Sequence, residues 1–168
     1  MDVLQARERY FIITVLFLHT SKKERTKRFS KKAFMKPVDA STVILLRNHG
    51  GALEVFLMRK SLRLEFARGA HVFPGGRVDE RDCDASWLSF SPGLSETAVH
   101  DTFPDLTLEQ GIGFYVAAAR ELFEESGILL TTEPAKYEEL VFMRKALRQT
   151  GDFDTLLTSA CLLLGLGL

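Results

Sequence analysis

Three glutamates stand close together at Glu121, Glu124 and Glu125. They lie on a stretch that reads Ala-Ala-Ala-Arg-Glu-Leu-Phe-Glu-Glu-Ser-Gly-Ile-Leu-Leu from Ala117 to Leu130. Its first part holds strong helix formers, and Gly127 is a natural stop just after the last turn. Residues three and four apart on a helix share a face, so the three carboxylates crowd together. A solvated helix would interleave lysines, but Arg120 is the sole cation between Gly111 and Thr132. A divalent cation removes the conflict. Hard ions such as Mg²⁺ take oxygen ligands, commonly a few carboxylates with waters and substrate phosphates. The ordinary alternative for a Glu-Glu pair is a charged outer helix face ended by glycine.

A second stretch, Ala70 to Asp82, weighs against that alternative. It reads Ala-His-Val-Phe-Pro-Gly-Gly-Arg-Val-Asp-Glu-Arg-Asp. A short apolar strand runs into Pro74-Gly75-Gly76, a turn that lets backbone approach a ligand. Phe73-Pro74-Gly75-Gly76, followed by Arg120-Glu121-Leu122-Phe123-Glu124-Glu125-Ser126-Gly127-Ile128, resembles the Nudix hydrolase family. The second half matches the Arg-Glu-apolar-x-Glu-Glu-x-Gly-apolar core of that family at every defined position.

The spacing departs from the family's usual box. There the glycine and the arginine are joined by a short spacer that holds another glutamate. Here more than forty residues separate Gly76 from Arg120, and Ile112 stands where that glutamate would fall counting back from Arg120. Such an insertion resembles the coenzyme A diphosphatase subfamily. Phe73 to Asp82 and Phe114 to Glu125 carry this likeness, which covers about Pro37 to Leu157.

The resemblance implies an α/β protein, a Nudix-like α/β/α sandwich around a mixed sheet. It implies hydrolysis of a nucleoside diphosphate linked to another moiety, with Mg²⁺ or Mn²⁺ as cofactor. Glu121, Glu124, Glu125 and the Gly76 carbonyl would hold the metal. Glu121 or a neighbour would assist deprotonation of the attacking water, and Arg120 would orient the carboxylates. Arg59, Arg68, Phe73 and Gly75 are the candidate substrate contacts, the arginines because cations offset diphosphate charge. Coenzyme A or an acyl derivative leads as substrate, with ADP-ribose or a nucleotide sugar second. Asp79, Glu80 and Asp82 are acids that either orient metal-bound water or are simply solvated.

These residues need elements to position them. Ser41 to Arg47 reads as a buried strand, Asn48-His49-Gly50-Gly51 as a hairpin turn, and Leu53 to Arg59 as the returning strand. Residues 82–110 form the insertion, expected to be a loop with one or two short helices, packed down by Trp87 and Phe90. Leu108 to Ser126 is the long helix. Tyr137 to Gln149 has the spacing of an amphipathic surface helix. Phe153 to Leu157 begins a further short segment. Thr158 to Leu168 is apolar and uncharged, and the family fold is expected to continue beyond it, so the domain over 37–168 reads as truncated at its C-terminus.

The 168 residues carry 22 Lys/Arg and 22 Asp/Glu. Residues 1–40 hold ten Lys/Arg against four Asp/Glu, which leaves the body acidic. An acidic body argues against general nucleic-acid binding. Residues 1–36 read as an extension outside the fold, with Met35 an alternative start. The apolar run Tyr10 to Leu18 is too short to span a membrane as a helix. Cys83 and Cys161 fit neither a zinc spacing nor a disulfide framework, which suggests an intracellular, by default cytoplasmic, setting.

Two other classes compete with an enzyme. One is a truncated, inactive binding module or remnant. The other is an adaptor acting through the basic cluster Lys22 to Lys36. Under the enzyme reading, Glu124→Gln and Glu125→Gln each lower turnover by orders of magnitude with little change in fold, while Lys31→Ala and Lys32→Ala leave turnover alone. Steady-state kinetics beside melting curves checks this, and full activity in either Gln variant contradicts the metal assignment.

Overall fold

The computed structural model describes residues 10–18, 38–62, 69–159, 164 and 166. The cluster Lys22 to Lys36, Met35, Arg68 and Cys161 lie outside the described residues.

The sheet is built on β2, Ala40–His49, which pairs antiparallel with β1, Tyr10–Leu18. The hairpin turn at Gly50-Gly51, both with positive φ, returns the chain as β3, Ala52–Val55. Two short strands, β4 (Met58–Arg59) and β5 (His71–Val72), pair with each other as a separate ribbon. Strand β6, Gly75–Arg77, then returns to β2, with Ser41 opposite Gly76 and Thr42 opposite Gly75. All pairings among these strands are antiparallel. The returning strand expected over Leu53 to Arg59 is broken at Phe56-Leu57, where it leaves β2 to pair with β5.

The run Tyr10–Leu18 was expected outside the fold. Instead it is a sheet strand, with Tyr10 opposite Arg47 and Leu18 opposite Ala40. Nine apolar and β-branched residues suit a strand, and β2 offers them a full edge to pair with.

After two 3₁₀ turns, Glu80–Asp82 and Ala85–Leu88, come α1 (Glu96–Thr102) and α2 (Leu108–Ser126). Helix α3 spans Tyr137–Thr150 and α4 spans Phe153–Ser159. No helix among the described residues is long and apolar enough to cross a membrane.

Helix α2 is the centre of the molecule. Thr107 and Gln110 form a reciprocal cap at its start, and Gly127, at φ +81°, ends it in the left-handed conformation. Every residue from Gly111 to Arg120 is buried. One side packs on the sheet, where Ala118 and Leu122 meet Val43 and Leu45. Strand β2 alternates so that Ser41, Val43 and Leu45 point inward, and the Ser41 hydroxyl donates to the Phe114 carbonyl at 2.7 Å. The other side of α2 packs on the insertion and the C-terminal helices. There Ile112, Tyr115, Val116, Ala119 and Phe123 join Trp87, Val99, Met143, Leu147 and Phe153.

The insertion is therefore a wall of the core. Trp87 is buried, its indole N–H donates to the Arg81 carbonyl at 3.1 Å, and its ring meets Phe90 and Phe153. Removing a buried aromatic of this size typically costs about 3–5 kcal/mol. Trp87→Ala is expected to lower unfolding free energy by that order in urea titration. A loss near zero would mean the insertion is not part of the core.

Candidate functional site

The site forms where the last turns of α2 meet the glycine strand β6. The buried Arg120 side chain joins them. Its Nε and Nη2 donate to the two oxygens of Asp82 at 2.9 and 2.8 Å. Nη2 also donates to the Arg77 carbonyl at 2.9 Å. Nη1 donates to Glu121 at 3.0 Å and to Glu124 at 3.4 Å. A guanidinium has five N–H donors, and these five bonds account for all of them. Burial opposes the charge on Arg120, but the hydrogen bonds and charge of Asp82, with Glu121 adding to them, raise its pKa above the usual arginine value.

Asp82 is as deeply buried as its partner and also accepts the Asp79 N–H at 2.8 Å. The acids of this loop were open to a solvated reading. For Asp82 the structure corrects it: the carboxylate ends the 3₁₀ turn Glu80–Asp82 directly beneath α2 and forms a forked ion pair. Sequence reading missed this role because it sought the spacer acid by counting back from Arg120. The acid that pairs with Arg120 lies on the glycine side of the insertion. The signal was present, since an Asp follows Phe-Pro-Gly-Gly within the same short stretch.

Glycines 75 and 76 are required by close approach. A side-chain carbon at Gly76 would collide with the Glu121 carboxylate, and one at Gly75 with the Ser41 carbonyl. Gly75 in turn donates its N–H to Glu125 Oε2 at 3.1 Å. The structure thus brings Arg120, Glu121, Glu124, Glu125, Gly75 and Gly76 to one place. Phe73 is half-buried on the segment between β5 and β6. Arg59 is exposed on the β4–β5 ribbon with His71 as its strand partner. Arg68 lies outside the described residues.

Burial pushes the Glu121 carboxyl up and outweighs the attraction of Arg120; Glu124 and Glu125 add to the rise. Folding therefore favours its protonated form. This contribution to stability is full below the ordinary glutamate range and is lost as pH rises through the folded value. A cation seated among the glutamates would oppose that shift.

The donor set suits a hard divalent ion, because every candidate ligand is an oxygen. It is not a closed cage. Among the described residues no three His, Cys, Asp or Glu side chains are grouped closely enough to hold a metal. Arg120 occupies oxygens of Glu121 and Glu124. Cys83 packs against Gly113, and its thiol is pushed up by burial and by Asp82, Asp39, Glu80 and Glu109, so it is a passive thiol.

No protein-family model matches the chain. The acyl-coenzyme A diphosphatase NUDT19 of Homo sapiens is 35% identical over 97 residues, covering 45% of this chain and 26% of its own length. The protein of the same name from Gallus gallus is 34% identical over 95 residues, covering 46% and 25%. The chain thus spans about a quarter of the length of these curated relatives. A crystal structure of a NUDIX hydrolase from Alicyclobacillus acidocaldarius matches with a TM-score of 0.51 at 24% identity, covering 73% of this chain and 54% of that one. The fold is Nudix-like, and the sequence is similar to the acyl-coenzyme A diphosphatases, as the residues Phe73 to Asp82 and Phe114 to Glu125 implied.

Breaking a buried ion pair on one side leaves an uncompensated charge and costs about 3–5 kcal/mol. Asp82→Ala should destabilise the protein by that order in denaturant titration. It should also impair whatever chemistry Glu121 performs, and a fully stable Asp82→Ala protein would contradict the role given to this pair.

Proposed function

We propose that this chain is a metal-dependent diphosphatase acting on coenzyme A or an acyl-coenzyme A. The observation that carries this reading is the meeting of Glu121 and Glu125 with the Gly75-Gly76 backbone, with Glu124 joined to Glu121 through Arg120, in a chain whose sequence is similar to acyl-coenzyme A diphosphatases. That arrangement concentrates carboxylate oxygens against a strand where only glycine fits.

In this reading Glu121, Glu124, Glu125 and the Gly76 carbonyl would hold Mg²⁺ or Mn²⁺, the three carboxylates closing on the ion from the open arrangement described above. Such an ion would supply charge neutralisation at the diphosphate and a more acidic water. The residues do the rest. Glu121, half-buried and raised in pKa, accepts the proton of the attacking water. Arg120 keeps Glu121 and Glu124 in place through hydrogen bonds at 3.0 and 3.4 Å. Water oxygen bonds to one phosphorus, the bridging P–O bond breaks, and the second phosphate leaves with that oxygen. Gly75 and Phe73 would contact the substrate beside the diphosphate. Arg59 and Arg68 are the cations offered to the substrate's outer phosphates.

Nothing in the glutamate cluster selects the leaving group, because it touches only the diphosphate. The choice of coenzyme A rests on the insertion and on the relatives. ADP-ribose and nucleotide sugars are the next class.

The purified 168-residue chain is to be assayed on coenzyme A, acetyl coenzyme A, ADP-ribose and NADH, with Mg²⁺ or Mn²⁺ and with EDTA. The expected result is metal-dependent release of a 3′-phospho-AMP-type product from the coenzyme A substrates, abolished by EDTA. Silence from cooperatively folded protein would overturn the enzyme reading in favour of a non-catalytic module. Preference for ADP-ribose would overturn the substrate.

A further inference from the structure

The carboxyl end of α2 carries two of the candidate metal ligands, and something must hold it. A helix leaves its last four carbonyls without intrahelical partners. In α2 these belong to Phe123, Glu124, Glu125 and Ser126. The Gly127 N–H takes the Phe123 carbonyl at 2.9 Å. The next two are taken by side chains from α3. Arg144 Nε donates to the Glu124 carbonyl at 3.0 Å, and Arg144 Nη2 donates to the Glu125 carbonyl at 2.6 Å. Arg148 Nη2 donates to the Glu124 carbonyl at 2.9 Å.

We infer that Arg144 and Arg148 are positioning residues, a guanidinium clamp that fixes the backbone of Glu124 and Glu125 so that the Glu125 carboxylate meets the glycine strand and the Glu124 carboxylate meets Arg120. This rests on the diphosphatase reading for its consequence, though not for its geometry.

Three observations support it. The bonded carbonyls belong to the two glutamates that end the carboxylate cluster. Arg144 and Arg148 stand four apart on one helix, where like charges repel. Burial first, and Arg148 second, work against the charge on Arg144. Placing two guanidiniums side by side is unfavourable unless both face negative partners, and the carbonyl end of α2 supplies them. Finally, the Arg144 side chain fills the space over Gly127, where a side-chain carbon would stand 3.1 Å from Nη1. The left-handed glycine and the arginine therefore fit each other, and the chain turns away under the clamp. On the same two residues, the Glu125 carboxylate takes the Gly75 N–H and the Glu124 carboxylate takes Arg120. The last turn is thus tied by side chains toward the site and by carbonyls toward α3.

The test uses the full chain and Arg144→Met, Arg144→Lys and the double variant Arg144→Met/Arg148→Met, each with two readouts. The first is amide hydrogen exchange without metal. The expected result is at least tenfold faster exchange at Ser126 to Ile128 in the Met variants, with Val43 and Leu45 in β2 unchanged and Arg144→Lys intermediate. Unchanged exchange at Ser126 to Ile128, or equal acceleration throughout the sheet, overturns the clamp. The second is hydrolysis of acetyl coenzyme A against Mn²⁺ concentration. The expected result is about a tenfold rise in half-saturating Mn²⁺ and a lower kcat, with KM for the substrate within twofold of the parent. A variant with faster exchange but unaltered Mn²⁺ dependence and kcat overturns the positioning role. Inactive parent protein overturns the diphosphatase reading itself, and the exchange arm still decides the clamp.

Discussion

A buried guanidinium with all five donors engaged is the constraint on which the rest of this molecule depends. Arg120 cannot be placed beneath α2 without a full set of acceptors, since an unpaired charge there would cost several kcal/mol. Asp82 supplies two of them, the Arg77 carbonyl one, and Glu121 and Glu124 the others. Those acceptors come from three places in the chain: the strand β6, the 3₁₀ turn that opens the insertion, and α2 itself. Satisfying one side chain therefore fixes all three. As net stabilisation the pair is worth little, because desolvation offsets attraction. Its consequence is positional, in that it sets which face of α2 is presented to the glycine backbone.

The other demands on α2 follow from that placement. A helix that bears the site on its last turns and has core on both sides must let neighbours come close. Gly111 makes room for Val99 of α1, and Gly113 for Cys83. Glycine within a helix is unfavourable by roughly 1 kcal/mol relative to alanine. Here it accommodates the insertion, whose Trp87 and Phe90 pack against the C-terminal elements. Leu164 N donates to the Phe90 carbonyl at 2.7 Å, which ties the end of the described chain to the insertion. The long separation between Gly76 and Arg120 is thus closed in space by Asp82, and the inserted residues serve as one wall of the core.

Much of this was legible in the residues. The helix Leu108–Ser126, the turn at Gly50-Gly51, α3 and the packing role of Trp87 all follow from local patterns that tertiary structure did not override. The carboxylate cluster was readable because its repulsion needs an explanation. What escaped was non-local. Asp82 sits among Asp79, Glu80 and Arg81 and looks solvated until a partner 38 residues away is known. The run Tyr10–Leu18 reads as an extension because its neighbour β2 is separated from it by a basic stretch. Burial on all sides of α2 was hidden by its charged last turn. The arginines of α3 looked like the polar side of a surface helix, since nothing local marks a carbonyl end elsewhere as their partner.

The proposed cation site comprises Glu121, Glu124, Glu125 and the Gly75-Gly76 backbone. Paramagnetic broadening of amide resonances by substoichiometric Mn²⁺ tests it most directly. The account requires broadening centred on Gly75, Gly76, Glu121, Glu124 and Glu125, with the residues around Gly50 at the far hairpin spared and Mg²⁺ reversing the effect. Broadening spread evenly over exposed acids, or centred on another group such as Asp152 and Asp154, would contradict it.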